Sequence, residues 1–380
     1  MHQFKVKEDT ITVQSPGRIN IIGEHTDYNE GFVLPAAIDK KTIFRLHKNK
    51  TASKINMVAE NSDEFFQFDL LSFAPISGGW QNLVMGVVWE LQQSGHTLTG
   101  FDGAFSGDIP LGSGMSSSAS LACSFAFGLN ELFALKLSNW QLVKICQLAE
   151  HHFVGTKCGI MDQFASVMGK KNHAILLDCR TSEYEYVSMD LKNYQFLLLN
   201  TNISHSLASS QYNNRKLECE AGVAIFKKAF PDKKIESLRD ISYDMLNLMA
   251  EQMPPIIFQR CRHVVGENER VLNAVKTLKN QEFAKLGQLM YQSHESLKND
   301  YAVSCTELDF LVAATHDKPY ILGSRMMGGG FGGCTINLIE KNRVTEFIEI
   351  VSEVYHQYFG ISPTPYFLTI ENGAGWLSEK

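Results

Sequence analysis

Pro16-Gly17-Arg18-Ile19-Asn20-Ile21-Ile22-Gly23-Glu24-His25-Thr26-Asp27-Tyr28-Asn29 joins a strand-like apolar run to a dense polar cluster. Glu24, His25 and Asp27 fall within four residues of one another. Two carboxylates and an imidazole can bond vicinal hydroxyls, and Arg18 lies just upstream. That set suits a small polyol or sugar. Taken alone, the same cluster also reads as a solvated turn, since polar residues gather on turns.

Further along, Pro110-Leu111-Gly112-Ser113-Gly114-Met115-Ser116-Ser117-Ser118-Ala119-Ser120 precedes a helix expected over 121–135. Glycines let backbone N–H groups approach a ligand, and a helix N-terminus favours anions. The segment can hold the phosphates of a nucleotide, or be a plain Gly/Ser loop with a Ser N-cap. No Lys follows the glycines, so it is not a Walker-type loop.

A third segment is Met326-Met327-Gly328-Gly329-Gly330-Phe331-Gly332-Gly333-Cys334. Gly328, Gly330 and Gly333 match G-x-G-x-x-G, but that fingerprint needs a helix after it. Here Thr335 to Glu340 reads as a strand, so a tight loop with positive φ is expected instead. A shorter segment, Cys158-Gly159-Ile160-Met161-Asp162-Gln163, places one carboxylate among small and apolar residues. By itself Asp162 is either a catalytic group or a capping residue. Glu150, His151 and His152 are adjacent and lack the H-E-x-x-H spacing of a zinc site. Leu238-Arg239-Asp240 lacks the partners of a protein-kinase catalytic loop.

Around these segments the chain alternates strands and helices. Strands are expected within 4–22 and 31–46, at Phe101–Ser106, Phe196–Asn200 and Thr335–Glu340, and at 365–371. Leu83, Val84, Val87, Val88 and Leu91 have helical spacing. Ser138 with Gln141 is a capping-box signal for a helix to about Glu150, and Thr306 with Asp309 resembles another. Further helices are expected over 209–229, 256–279, 281–299, 306–316 and 343–358.

The 380 residues suit two or three domains. Hydrophobic residues make up 44% and charged residues 20%, which excludes disorder and a long coiled coil. The net charge of −6 gives no basic excess for a nucleic-acid backbone. No run approaches the roughly 18 apolar residues of a membrane span. The eight cysteines form no Cys-x-x-Cys pair and read as reduced thiols of a cytoplasmic protein.

In this order, the three glycine-bearing segments resemble those of the GHMP small-molecule kinases. Within that superfamily, Gly17 to Asn29 is similar to the signature of the galactokinase family. The resemblance implies an α+β chain of two domains, about 1–190 and 191–380. The first would resemble ribosomal protein S5 domain 2, the second would be ferredoxin-like, and the active site would lie in the cleft between them. It implies transfer of the γ-phosphate of ATP to the anomeric hydroxyl of galactose, at the entry to galactose catabolism by the Leloir pathway. Asp162 would be the base, with Arg18 beside it. Glu24, His25, Thr26, Asp27, Gly159, Asp162 and Tyr212 would contact the sugar. Gly112, Ser113, Gly114, Met115, Ser116, Ser117 and Ser118 would hold the ATP phosphates, Met115 standing where the family usually has Leu. Ser118 and Glu150 would hold Mg²⁺. A monomer is expected, with a small sugar as its partner and neither nucleic acid nor membrane. An N-acetylgalactosamine kinase and a non-catalytic sensor of galactose and ATP are the alternatives. The Ser118-Ala119 pair, Arg18 and Asp162 favour catalysis over sensing.

Overall fold

The computed structural model describes residues 4–204 and 208–377. The first half runs β1 (Ile11–Asn20), β2 (Phe32–Val33), β3 (Pro35–Lys48), β4 (Lys54–Ala59), β5 (Glu64–Asp69), α1 (Gln81–Gln93), β6 (Phe101–Gly107), α2 (Ser117–Phe133), α3 (Asn139–Ala149), α4 (Met161–Met168), β7 (His173–Asp178) and β8 (Tyr184–Ser188). The second half runs β9 (Tyr194–Ser204), α5 (Ala208–Ala229), α6 (Tyr243–Leu248), α7 (Pro255–Lys279), α8 (Phe283–Asn299), α9 (Thr306–Ala313), β10 (Ile321–Met326), β11 (Gly332–Glu340), α10 (Val344–Phe359), β12 (Thr364–Phe367) and β13 (Gly375–Trp376).

The strands form three sheets, ordered β13-β1-β3-β6-β4-β5, β10-β11-β9-β12 and β2-β7-β8. Pairing is antiparallel except between β4 and β6. Along β3, Phe44 and Leu46 are fully buried while Ile43 and Arg45 are partly exposed, the alternation of a strand with one face on a core. That face meets Val84, Val88 and Leu91 of α1 and Phe125 and Leu129 of α2. The chain end returns to this sheet: Val13 of β1 pairs with Trp376.

A second core joins the two larger sheets. Ile19, Ile21 and Ile22 pack with Leu198, Ile336 and Leu338, and with Val271 of α7 and Leu286 of α8. Complete burial of each such isoleucine contributes about 1.5–3 kcal/mol. The end of β1 is therefore fixed from both sides just before the polar cluster begins. Helix α8 reaches β10 through a glycine pair. A Cβ on Gly287 would stand 1.8 Å from the Leu322 carbonyl oxygen, and one on Gly323 would stand 2.3 Å from Gly287 Cα. Only glycine at both positions permits that approach.

Three local expectations need correction. Helix α2 begins at Ser117, not Leu121, so the serines form its first turn. Thr306 is not a capping residue: Cys305 occupies the N-cap without a side-chain bond, and Asp309 instead accepts from Ser304 Oγ and pairs with His294 and Lys298. The strand expected over 365–371 is β12 and ends at Phe367, with Ile370 making only an isolated bridge to Ile38. The Ser138–Gln141 capping box is present as expected. No helix among the described residues is long and apolar enough to cross a membrane.

Candidate active site

After β1 the chain turns at Gly23, whose φ is +106°. The Gly23 N–H donates to Glu267 Oε1 at 2.9 Å, and Ser293 Oγ donates to the same oxygen. Burial opposes the ionisation of Glu267, but Arg270, His263 and Arg325 outweigh it and hold its pKa at about 2. Thr26 closes the turn, its hydroxyl bonding the carbonyls of Gly23 and Phe32. The result is a rigid loop presenting Glu24, His25 and Asp27.

Each of these three is held differently. Glu24 Oε1 accepts from Arg325 Nη2 at 3.0 Å and from Gly328 N–H at 2.7 Å. The His25 ring is 2.8 Å from the Tyr28 hydroxyl, which in turn meets Tyr301. Burial depresses the His25 pKa to about 3, so its imidazole is neutral at physiological pH. Asp27 packs against Gly159, where a Cβ would lie 1.9 Å from Asp27 Oδ2. Burial, then the nearby Asp162, raises the Asp27 carboxyl to about 7, and N–H groups of Tyr28 and Met161 only partly offset this.

Asp162 sits in the first turn of α4. Its Oδ1 accepts from Arg18 Nε at 2.7 Å, and its Oδ2 accepts from Ser116 Oγ. Arg18 also donates through Nη1 to the Gly114 carbonyl. Burial disfavours the charge on Arg18, but Asp162, Glu24 and Asp27 overcome that and raise its pKa. Arg18 thus links the polar turn, the glycine-serine loop and α4.

The loop 110–116 turns through positive φ at Gly112, Gly114 and Ser116. Ser116 is the N-cap of α2, yet its side chain bonds Asp162 and does not cap the helix. The first N–H groups of α2 are left for another acceptor, together with the positive end of its dipole. The third glycine segment is the loop of the β10–β11 hairpin and packs on this one. A Cβ on Gly328 would stand 3.2 Å from Gly114 Cα, and one on Gly333 would stand 3.3 Å from the Gly112 oxygen.

Helix α3 widens after Ala149 into a π turn, Glu150–Val154, a feature common at functional sites. Glu150 is buried, and its Oε1 has no hydrogen bond of normal geometry. Burial and Asp162 raise its pKa to about 7, against the smaller opposing effect of Ser118. His151 and His152 point elsewhere, to the Cys158 carbonyl and to Glu90. Among the described residues, no group of three or more His, Cys, Asp or Glu side chains is arranged around a metal position.

A cavity of about 300 Å³ collects Arg18, Glu24, His25, Asp27, Gly112, Gly114, Ser116, Ser117, Ser118, Glu150, Gly159, Asp162 and Tyr212. Three expected residues do not reach it with their side chains. Thr26 is spent on its turn, Ser113 on the Pro110 carbonyl, and Met115 is fully buried in the second core. Beside it lies an apolar cavity of about 600 Å³ lined by Trp80, Leu83, Phe105, Leu111 and Leu121, and sharing Ser117 and Ser118. The sequence reading missed Arg325 and Glu267. The available signal was weak: Arg325 is the one charged residue of its strand, and Glu267 shares the buried face of α7 with Arg260, His263 and Asn268.

Three family profiles match the chain. The profile of the galactokinase galactose-binding signature matches residues 1–48, that of the GHMP kinases N terminal domain residues 82–170, and that of the GHMP kinases C terminal residues 274–357. A galactokinase of Thermosipho africanus is 39% identical over 361 residues, covering 95% of this chain and 98% of its own. The crystal structure of Lactococcus lactis galactokinase complexed with galactose superposes with a TM-score of 0.93 at 35% identity, covering 97% of this chain and 96% of that one. The mevalonate kinase of Methanococcus jannaschii shares the fold at 16% identity, with a TM-score of 0.68 over 97% of this chain and all of its own.

Proposed function

The chain belongs to the galactokinase family of the GHMP kinases, and from that premise we propose how its residues perform the reaction. It has the two-domain GHMP kinase fold and acts as an ATP-dependent kinase that transfers the γ-phosphate to the anomeric hydroxyl of galactose, yielding galactose 1-phosphate and ADP. We take 1–190 and 191–380 as its two lobes, with the end of the chain returning to the first.

The observation that carries the assignment of roles is the Arg18–Asp162 pair. It lies where the sugar signature meets the glycine-serine loop. Phosphoryl transfer asks a protein mainly for positioning and charge stabilisation. Glu24, neutral His25, Asp27, Gly159 and Tyr212 would orient galactose. Asp162 would accept the proton of the attacking hydroxyl. Arg18 would hold the Asp162 carboxylate in place and offset charge on the transferring group. The N–H groups of the 112–118 loop and α2 would hold the phosphates, with the base of ATP in the apolar cavity that shares Ser117 and Ser118.

The buried, unpartnered Glu150 Oε1 beside Ser118 fits a magnesium ion, which takes oxygen ligands and needs few of them from the protein. When bound, Mg²⁺ would supply neutralisation of phosphate charge. Glu150 and Ser118 would each contribute one oxygen. Thr26 serves by holding the turn.

The test is ADP release over a panel of galactose, glucose, 2-deoxygalactose, N-acetylgalactosamine and no sugar, with Mg²⁺ and with EDTA. Mg²⁺-dependent release with galactose, and weaker release with 2-deoxygalactose, supports the reading. Strong turnover with N-acetylgalactosamine moves the substrate to that sugar. Binding of ATP and galactose without ADP identifies a sensor and removes the roles of Asp162 and Arg18.

A further inference from the structure

Arg325 is a completely buried charged side chain on β10, three residues ahead of Gly328. Its guanidinium makes four hydrogen bonds, three to the 20–24 segment and one to its own neighbour Met326. Nε donates to the Ile21 carbonyl at 2.9 Å, and Nη2 to the Asn20 carbonyl at 2.6 Å. Nη1 donates to the Met326 carbonyl at 2.6 Å, and Nη2 reaches Glu24 Oε1 at 3.0 Å.

Two features set this apart from a structural ion pair. First, both bonds to the Glu24 carboxylate fall on Oε1, one from Arg325 and one from the Gly328 N–H. Oε2 remains for another donor, and Glu24 lines the cavity. Second, all three guanidinium nitrogens are engaged, Nε and Nη1 once each and Nη2 twice. Lys offers a point charge with three N–H donors and cannot serve three carbonyls and a carboxylate at once. A buried ion pair adds little net stability over apolar packing, but removing one partner leaves the other charge uncompensated.

The geometry points to Arg325 as a positioning residue for the sugar. It fixes the Glu24 carboxylate in one rotamer, with Oε1 occupied and Oε2 free to accept from a galactose hydroxyl. It does so by tying the end of β1 to the strand before the glycine-rich loop. The inference rests on Glu24 being a sugar contact, as proposed above. It also predicts a division of effects. The loop after Arg325 keeps its own anchors, Met327 N–H to the Cys334 carbonyl and Phe331 N–H to the Val303 carbonyl. Loss of Arg325 should therefore reach galactose and spare ATP.

The experiment compares Arg325→Met, Arg325→Lys, Glu24→Gln and the Arg325→Met/Glu24→Gln double variant. Melting curves check folding, steady-state kinetics give both KM values, and calorimetry gives galactose affinity. A hydrogen bond to a charged group is at stake, so Arg325→Met should raise the galactose KM about tenfold or more. The ATP KM should stay within about twofold, and Arg325→Lys should recover part of the loss. The double variant should bind galactose no worse than Glu24→Gln alone, because both changes remove one interaction. Should Arg325→Met fail to fold, Arg325→Lys carries the test through the same split between the two KM values. The inference is overturned if the galactose KM is unchanged, if both KM values rise together, or if the double variant multiplies the single losses. A Glu24→Gln variant with unaltered galactose affinity overturns the sugar-contact reading itself. Weakened binding in Glu24→Gln beside an unaffected Arg325→Met overturns the inference alone.

Discussion

Arg18 Nε lies 2.7 Å from Asp162 Oδ1, joining β1 to the first turn of α4 across 144 residues of sequence. Ser116 holds the other carboxylate oxygen. Asp162 is thereby fixed in orientation by one group from the signature and one from the glycine-serine loop. Asp162→Ala should lose roughly 10²-fold or more in turnover, since the attacking hydroxyl loses the group that orients it and receives its proton. Asp162→Asn should lose a similar amount while keeping the bond from Arg18. The assay is ADP release at saturating galactose and ATP. Near-normal turnover in both variants would show that Asp162 is not the base.

Asp27 gives a pH-dependence whose sign follows from its surroundings. Burial first, then Asp162, raises its carboxyl from 3.8 to about 7. A carboxyl raised on folding holds its proton more tightly in the folded state. Its contribution to stability is complete below 3.8 and is lost as pH rises through about 7. Buried His25 and His263 work the other way, since their pKa values are lowered to about 3 and about 4, and they cost stability as pH falls below 6.5. The difference between parent and Asp27→Asn isolates the carboxyl. Without ligand, that difference in unfolding free energy should shift against the parent by up to about 1.4 kcal/mol per pH unit between pH 4 and 7. Urea unfolding at a series of pH values measures it. A difference that stays constant with pH contradicts the shift.

Among the described residues, Glu150 is the one buried carboxylate near Ser118 with an oxygen lacking a normal hydrogen bond. Glu150→Gln should raise the free Mg²⁺ needed for half-maximal turnover by about tenfold or more, because a charged oxygen ligand is replaced by a neutral one. The galactose affinity should hardly move. Ser118→Ala should act in the same direction and less strongly. Titrating Mg²⁺ at fixed ATP, with EDTA as the blank, makes the comparison. An unchanged Mg²⁺ requirement in Glu150→Gln would place the metal elsewhere.

Much of this was legible in the residues, for identifiable reasons. The 16–29 segment packs unusual side chains into a short span after a strand. The Ser138–Gln141 box forms because both partners are local and solvent-exposed. The Thr306–Asp309 pattern does not, because Asp309 finds Ser304, His294 and Lys298 instead, two of them from α8. The start of α2 was hidden because Ser116 enters the helix from a left-handed conformation and bonds a residue 46 positions away. Helix α4 is only 8 residues long, too short for a period to show. Arg325 was missed because its partners, Asn20, Ile21 and Glu24, lie about 300 residues earlier. Local pattern reports local contacts, and the site is assembled from distant ones.

The remaining question at Asp162 concerns timing, and the pairing with Arg18 sharpens it. A carboxylate bonded to a guanidinium and a hydroxyl is held in one orientation. Such a group suits a loose phosphoryl-transfer transition state, in which the nucleophile keeps its proton until late. The arrangement therefore favours orientation of the hydroxyl over proton abstraction in the transition state. Rapid-quench measurement of the chemical step in H₂O and D₂O distinguishes the two. We expect a ratio close to unity, at most about 1.5, on the reasoning that little proton motion accompanies a loose transition state. A ratio of about 2 or more would mean that the proton is in flight as the phosphoryl group moves. The same comparison in an Arg18→Lys variant adds a control. Lys keeps the positive charge and loses the fork, so a slower step with an unchanged ratio assigns Arg18 to positioning and charge stabilisation.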